Sequence, residues 1–370
     1  MTPARGQDSL TMDGLLRRIS AEQVRDQGFF YPGMFPCMRA WAATPRRRVA
    51  DNSIFFTGLV AFTLKSAGFD SIVRFAAGAY IHYANRDGKP TFNFWPTDRK
   101  VFFPNSRLLH HYEDSKSLAD DLDDTSVLWL SQDLPDSTAT RLKELMDRHA
   151  NLVRKRVRNS YRRARTFPAY SAWFGTRTPI EFDAGVLCNV LYFVRAAGLS
   201  WDRADSGSVA FLRFILEKRK YWTDPAFASS YYPRTPVLIY HFARLMGKFR
   251  FPGLEPYRPQ LIRDARYALS DCRDPMDKVI LQTALLRLGD TAVLSLPLPV
   301  HSAGEAESDP FVFYIANLSC LFPNPFRRVL LQNPLWTYHF FCPAYNDALV
   351  LENLSLRLSL AAKKSSTPTP

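Results

Sequence analysis

Four aspartates fall within five positions: Asp120, Asp121, Asp123 and Asp124. One or two acids ahead of an apolar stretch suit a helix N-terminus, where a carboxylate accepts amide hydrogens and complements the dipole. Four exceed that need. Crowded carboxylates raise one another's pKa, because each ionisation works against charge already present. Such a cluster can hold a protonated carboxyl near neutral pH as a general acid. It can equally offer hard oxygen ligands to a divalent cation such as Mg2+. His110, His111 and Tyr112 precede the acids. One histidine could hydrogen-bond the cluster and set its pKa, or the pair could simply stand in solvent.

Other residues are candidates for the same site. Asp51 and Asp183 also stand just before apolar runs, which would put them on one rim with Asp123. Asn189 interrupts an apolar segment and, if buried, must find partners. Trp95, Trp129, Tyr192 and Tyr240 could line a cavity, together with Phe55, Phe56 and Phe193. The plainer alternative is that the acids cap helices and the aromatics fill the core.

The elements that would position these residues follow from capping signals. Asp51–Ser53, Asp123–Thr125, Asp183, Thr235-Pro236, Asp277 and Asp309-Pro310 each precede an apolar run with helical spacing. Between them lie amphipathic segments at 69–85, 138–158, 206–221, 260–272 and 345–360. An apolar helix followed by an amphipathic one, repeated about six times, is the pattern of an all-α, α/α toroid with an inner and an outer ring. Asp87-Gly88, followed by aromatic alternation to Trp95, predicts a small β-hairpin insertion. The expected organisation is an N-terminal extension over 1–50 packed on the ring, a toroid over 51–362, and a disordered tail over 363–370. The extension would pack through Phe29, Phe30, Tyr31, Phe35 and Trp41.

Within that frame, Asp121-Leu122-Asp123-Asp124-Thr125 resembles the Asp-x-Asp-Asp-Thr motif of class II terpenoid cyclases. These belong to the α/α toroid superfamily that also holds the prenyltransferases. The resemblance implies that Asp123 is the proton donor, tuned by Asp121 and Asp124. It also implies that an isoprenoid or similarly apolar substrate is protonated and cyclised among aromatic faces, which stabilise cations. The motif covers five residues, and copies of the Gln-Trp repeats of triterpene members are not evident. Read as Asp120-Asp121-x-x-Asp124, the same acids resemble the Mg2+-binding motif of class I synthases. The second metal motif that those enzymes need would have to start at Asn346-Asp347, where the residues that follow are out of step. Asp183 and Cys188 are not spaced like the zinc ligands of protein prenyltransferases, so no metal site is assigned. Carboxylates around a toroid cavity also suit a glycoside hydrolase or lyase. A non-catalytic helical binding scaffold is the third reading.

Composition sets the outer limits. The chain has 370 residues, 46% of them hydrophobic and 22% charged, enough for a large core. The apolar runs are too short to span a bilayer, and the first 26 residues lack the apolar stretch of a signal peptide, so a cytoplasmic location is expected. Five cysteines at irregular spacing suggest reduced thiols. A net charge of +13 favours anionic partners, including peripheral contact with an anionic membrane. The charge concentrates in Arg154–Arg165, read as a solvated helix face, and in Arg46–Arg48, which could hold a diphosphate. No nucleic-acid-binding signature accompanies it.

Overall fold

The structure is a computed structural model that describes residues 10–98, 119–175, 178–300, 311–331 and 333–365. It is mostly helical, with one small antiparallel sheet. The helices are α1 (Met12–Glu22), α2 (Phe55–Ser66), α3 (Asp70–Gly78), α4 (Leu122–Leu130), α5 (Asp136–Arg148), α6 (Ala184–Ala196) and α7 (Arg203–Glu217). Next come the single turns α8 (Lys220–Thr223) and α9 (Pro225–Ala228). They are followed by α10 (Thr235–Lys248), α11 (Arg258–Asp271), α12 (Pro275–Leu288), α13 (Phe326–Leu330) and α14 (Pro343–Ser365).

Local chemistry explains most of the starts. Asp121 caps α4 and Asp183 caps α6, each accepting two amide hydrogens of the first turn. Asp202 and Asp205 form a capping box on α7. Pro236 occupies the first turn of α10. At α12 the cap is Asp274, with Pro275 behind it, and Asp277 lies inside the helix. Helix α2 has no side-chain cap. Asp51 instead bonds the Ser53 amide and pairs with Arg39.

Helices α2, α4, α6, α10 and α12 are the expected apolar ones, and each is buried over most of its length. Burying Leu187, Val190, Leu191 and Phe193 on α6 contributes roughly 1.5–3 kcal/mol each before the entropy of ordering is counted. Contacts run from α2 to α4, α4 to α6, α6 to α10, α10 to α12, α12 to α14, and from α14 back to α2. Gly58 lets α2 and α4 approach closely, since a Cβ there would sit 2.6 Å from a Leu128 methyl. Helices α3, α7, α11 and α1 pack on α2, α6, α12 and α14 respectively.

Three expectations fail. The sixth apolar run is not a helix. Tyr314–Asn317 is strand β3, and Leu318–Leu321 is a 3-10 turn. Its place in the contact cycle goes to α14, expected to be amphipathic and outer, whose residues Ala344, Tyr345 and Ala348–Leu351 are buried. The first half of α14 can enter the core because its two acids are paired there: Asp347 accepts from Arg18, and Glu352 from Tyr240 and Arg287.

The β-content is also not where the turn signal put it. Strands β1 (Cys37–Trp41), β2 (Arg48–Asp51), β3 and β4 (Thr337–Phe341) form an antiparallel sheet in the order β2-β1-β4-β3. Met38 lies opposite Phe341, and Phe340 lies opposite Tyr314. Two strands of the segment expected to be an extension therefore pair with the C-terminal part of the chain. Around Asp87-Gly88 there is only an isolated bridge, Ala84 to Phe92, which continues through Asp121 to Trp173. Side chains replace the hairpin ladder: Asn85 accepts the Asp87 and Lys89 amides, and Asp120 accepts from Asn85 and Thr91.

Finally, α5 ends at Arg148, and the basic run beyond it is turns and a 3-10 segment. The reason is Asn151, whose side chain binds the backbone of Val157, Arg165 and Phe167 and folds the run into a loop. His110, His111, Tyr112 and Asp309-Pro310 lie outside the described residues. Helix α14 continues to Ser365, into the segment composition marked as tail. Cys37, Cys188, Cys272 and Cys342 are free thiols. Among the described residues, no helix is long and apolar enough to cross a membrane.

Candidate active site

The start of α4 carries three carboxylates into the interior. Asp121, Asp123 and Asp124 are 5%, 3% and 1% exposed. With Phe55 of α2, Val186 of α6, Tyr231 and Tyr314 of β3 they line a narrow void. It does not admit a water-sized sphere.

The three acids differ in what their oxygens do. Asp121 Oδ1 accepts the amides of Asp123 (2.6 Å) and Asp124 (3.1 Å), closing the first turn. Asp123 spans the contact with the neighbouring helices. Its Oδ1 accepts from Asn189 Nδ2 of α6 at 2.7 Å, and its Oδ2 accepts from the Tyr232 hydroxyl. Asn189 Oδ1 in turn accepts from the buried Arg244 guanidinium of α10, which lies over the rings of Phe62 and Tyr240. Asp124 has no such support: among the described residues, neither of its carboxyl oxygens has a hydrogen-bond partner.

Electrostatics follow from these contacts. Burial raises the pKa of Asp123 to about 6, limited by hydrogen bonds from Tyr232 and Asn189 and by the charge of Arg244. Burial and the charges of Asp121 and Asp123 push Asp124 well above the ordinary aspartate range. Asp121 is also held well up, by burial and by Asp123. The cluster's negative charge is best supported on Asp123, and burial favours the protonated forms of Asp124 and Asp121.

The surrounding rings form a cage. Phe55 and Tyr314 have centroids 4.6 Å apart, and Tyr231 and Tyr314 lie nearly parallel at 6.0 Å. Tyr232 packs on Phe55, Tyr314 and His241. Gly185 makes room for it, since a Cβ there would meet the Tyr232 ring at 2.2 Å.

The remaining candidates scatter. Asp183, raised by burial to about 6, borders the site but is saturated. It accepts the Gly185, Val186 and Tyr231 amides and the Ser229 hydroxyl, so it fixes the loop that carries Tyr231 and Tyr232. Asp51 is bonded to Trp95 Nε1 at 3.1 Å and paired with Arg39, and neither Asp51 nor Trp95 lines the void. Trp129 packs on Phe92 and donates to the Pro90 carbonyl. Tyr192 packs between Phe62 and Phe249. Tyr240 donates to Glu352, which pairs with Arg287. These are packing and structural hydrogen-bonding roles.

Site residues outside the sequence reading are Tyr231, Tyr232, Arg244 and Tyr314, with Glu181 beside them. Glu181 is fully buried and accepts from Tyr231 (2.6 Å), Trp173 and Ser230, with Arg327 3.9 Å away. Tyr314 comes from the strand that was read as a helix. A lone acid between the apolar Ile180 and Phe182 was the available signal for Glu181. Among the described residues, no group of three or more His, Cys, Asp and Glu is arranged to hold a metal ion. Asp123 spends both oxygens on side chains, and Asp121 spends Oδ1 on two amides.

Compared with protein-family models, curated proteins and solved structures, the chain matches none.

Proposed function

We propose that the cycle of six buried helices is the inner ring of an α/α toroid. In this reading the chain is a terpenoid-cyclase-like enzyme that uses a buried aspartic acid to protonate an isoprenoid or similarly apolar substrate. The observation that carries the reading is the setting of Asp124: a buried carboxyl with no hydrogen-bond partner among the described residues, beside two further acids and facing aromatic rings. Losing the proton there is opposed by burial and by the neighbouring acids, and the developing substrate cation offsets both.

The Asp-x-Asp-Asp-Thr resemblance gives the donor role to Asp123, whereas the hydrogen bonding favours Asp124. In the proposed step the alkene π pair takes the Asp124 proton to form a C–H bond, leaving Asp124 as carboxylate and a tertiary carbocation on the other carbon. The rings of Phe55, Tyr231 and Tyr314 stabilise that cation through their faces. Loss of a proton from the cyclised cation restores the alkene, and Asp124 is reprotonated for the next cycle. Asp123, ionised against Asn189, Tyr232 and Arg244, helps to keep Asp124 protonated. A substrate of this size enters only when the cage opens, which requires rings such as Tyr231 and Tyr314 to move.

The test is incubation of the protein with isoprenoid polyenes and isoprenoid diphosphates, with products read by gas chromatography and mass spectrometry. Cyclised product is expected, lost in Asp124→Asn. Product formed by Asp124→Asn at the parental rate ends the proposal.

The second reading, a non-catalytic helical scaffold, is favoured by the smallness of the void. On that reading the acids only organise the start of α4, and no substrate is turned over.

A further inference from the structure

The loop after α5 builds a second concave site, remote in chemistry from the acids. A cleft of about 540 Å³ is lined by Arg154, Lys155, Arg156 and Arg158 on one side and by apolar groups including Ile180 and Phe322 on the other. That volume is in the range of small-ligand sites. Among the described residues, no carboxylate lines it. None of the four cations has an ion pair among the described residues, and the hydrogen bond from Lys155 Nζ goes to the Thr178 carbonyl at 3.0 Å.

The loop is held in shape. Leu152 takes a left-handed conformation, φ 72°, and its amide bonds the Lys155 carbonyl. Val157 is buried between the exposed Arg156 and Arg158. The Asn151 side chain ties both ends of the loop through Val157 and Arg165. Beneath it the buried Arg327 donates to the Asn159 carbonyl and to Ser230, and Asn324 donates to the Ser160 carbonyl. The cationic side chains therefore spring from a fixed backbone, and little ordering entropy is lost when a ligand binds.

Four like charges around one concavity repel one another unless an anion enters. Three are guanidinium forks, which match phosphate oxygens two at a time. The apolar wall gives a place for the non-phosphate part of a ligand. The geometry points to a binding site for a phosphate-bearing ligand with two or more negative charges and an apolar or ring portion. The phosphate can belong to a free small molecule or to a lipid headgroup. In the second case the exposed Phe326 and Val329 of α13, which begins four residues after Phe322, would lie against the bilayer.

The proposal is independent of the acid site and is tested separately, on the full chain and on the double variant Arg156→Ala/Arg158→Ala. These side chains are exposed, so the variant folds, which circular dichroism verifies. Calorimetric titration with inorganic pyrophosphate and with orthophosphate is run beside co-sedimentation with phosphatidylcholine vesicles containing or lacking phosphatidic acid. Pyrophosphate binding at least about tenfold tighter than orthophosphate, weakened about tenfold or more in the variant, supports the free-ligand source. Sedimentation that needs phosphatidic acid and is lost in the variant, with no pyrophosphate binding, supports the lipid source. Binding of neither probe, or binding equal in parent and variant, overturns the site. Binding of single-stranded RNA alone also overturns it, in favour of a nucleic-acid surface.

Discussion

Replacing Asp124 by Asn removes the acidity of the side chain and almost nothing else. The amide has the shape and neutrality of the protonated carboxyl that burial enforces, so packing around Phe55 and Tyr314 should persist. The thermodynamic consequence has a definite sign. Folded Asp124 keeps its proton to a higher pH than the unfolded chain does, so the folded state binds more protons and stability falls as pH rises. The contribution is fully present below the unfolded value, about 3.9, and is lost up to the raised folded value. Within that window one retained proton costs the parent about 1.4 kcal/mol per pH unit relative to the variant. Guanidinium denaturation followed by tryptophan fluorescence, repeated from pH 4 to pH 7, measures it. The variant should gain on the parent steadily as pH rises, and should be the more stable of the two at pH 7. Parallel stability curves would refute the claim that Asp124 is the protonated member of the cluster. If activity is found, the same variant should lose at least about a hundredfold of it, the scale of a removed general acid.

Other substitutions probe the supports. Asp183→Ala leaves two first-turn amides, the Tyr231 amide and the Ser229 hydroxyl without an acceptor. It should destabilise by roughly 3 kcal/mol or more in the same denaturation assay, from lost capping and buried unpaired donors. Gly185→Ala drives a methyl into the Tyr232 ring and should cost about 1–3 kcal/mol, with a change in near-ultraviolet circular dichroism as that ring shifts. Arg244→Met removes the charge that lowers the Asp123 pKa. Asp123 should then titrate above about 6, visible as a carboxyl band in infrared difference spectra that persists to higher pH. Tyr232→Phe removes a hydrogen bond to ionised Asp123 and should shift the same band in the same direction.

Much of the helical framework could be read locally. A capping aspartate bonds amides two or three residues away, and an apolar run at helical spacing needs only a neighbouring surface to bury against. The start of α6, the cap at Asp183 and the concentration of acids at Asp121–Asp124 followed from such short-range rules, as did the start of α10 to within two residues. Helices α4 and α12 begin earlier than read, capped by Asp121 and Asp274 in place of Asp123–Thr125 and Asp277. Misreadings arose where distant segments competed. The run after Phe311 has both helical and strand character. It became β3 because β4 offers it a ladder and β4 in turn pairs with β1, about three hundred residues earlier. The vacated position in the helix cycle was filled by α14, whose first turns are apolar enough to be buried there. Asn151 turned the expected basic helix into a loop by binding backbone fourteen and sixteen residues ahead.

The sequence by itself determined that three neighbouring carboxyls would share the first turn of α4, since Asp, Leu, Asp, Asp before an apolar run leaves them little other place. Only the tertiary structure decided which of them holds the proton. Asp121 is committed to its own turn, but Asp123 is satisfied by Asn189 and Tyr232, 66 and 109 residues away. Asp124 is left with rings around it. The difference is one of range: capping is a bond between near neighbours, while the solvation of a buried charge depends on every group that the fold brings to it.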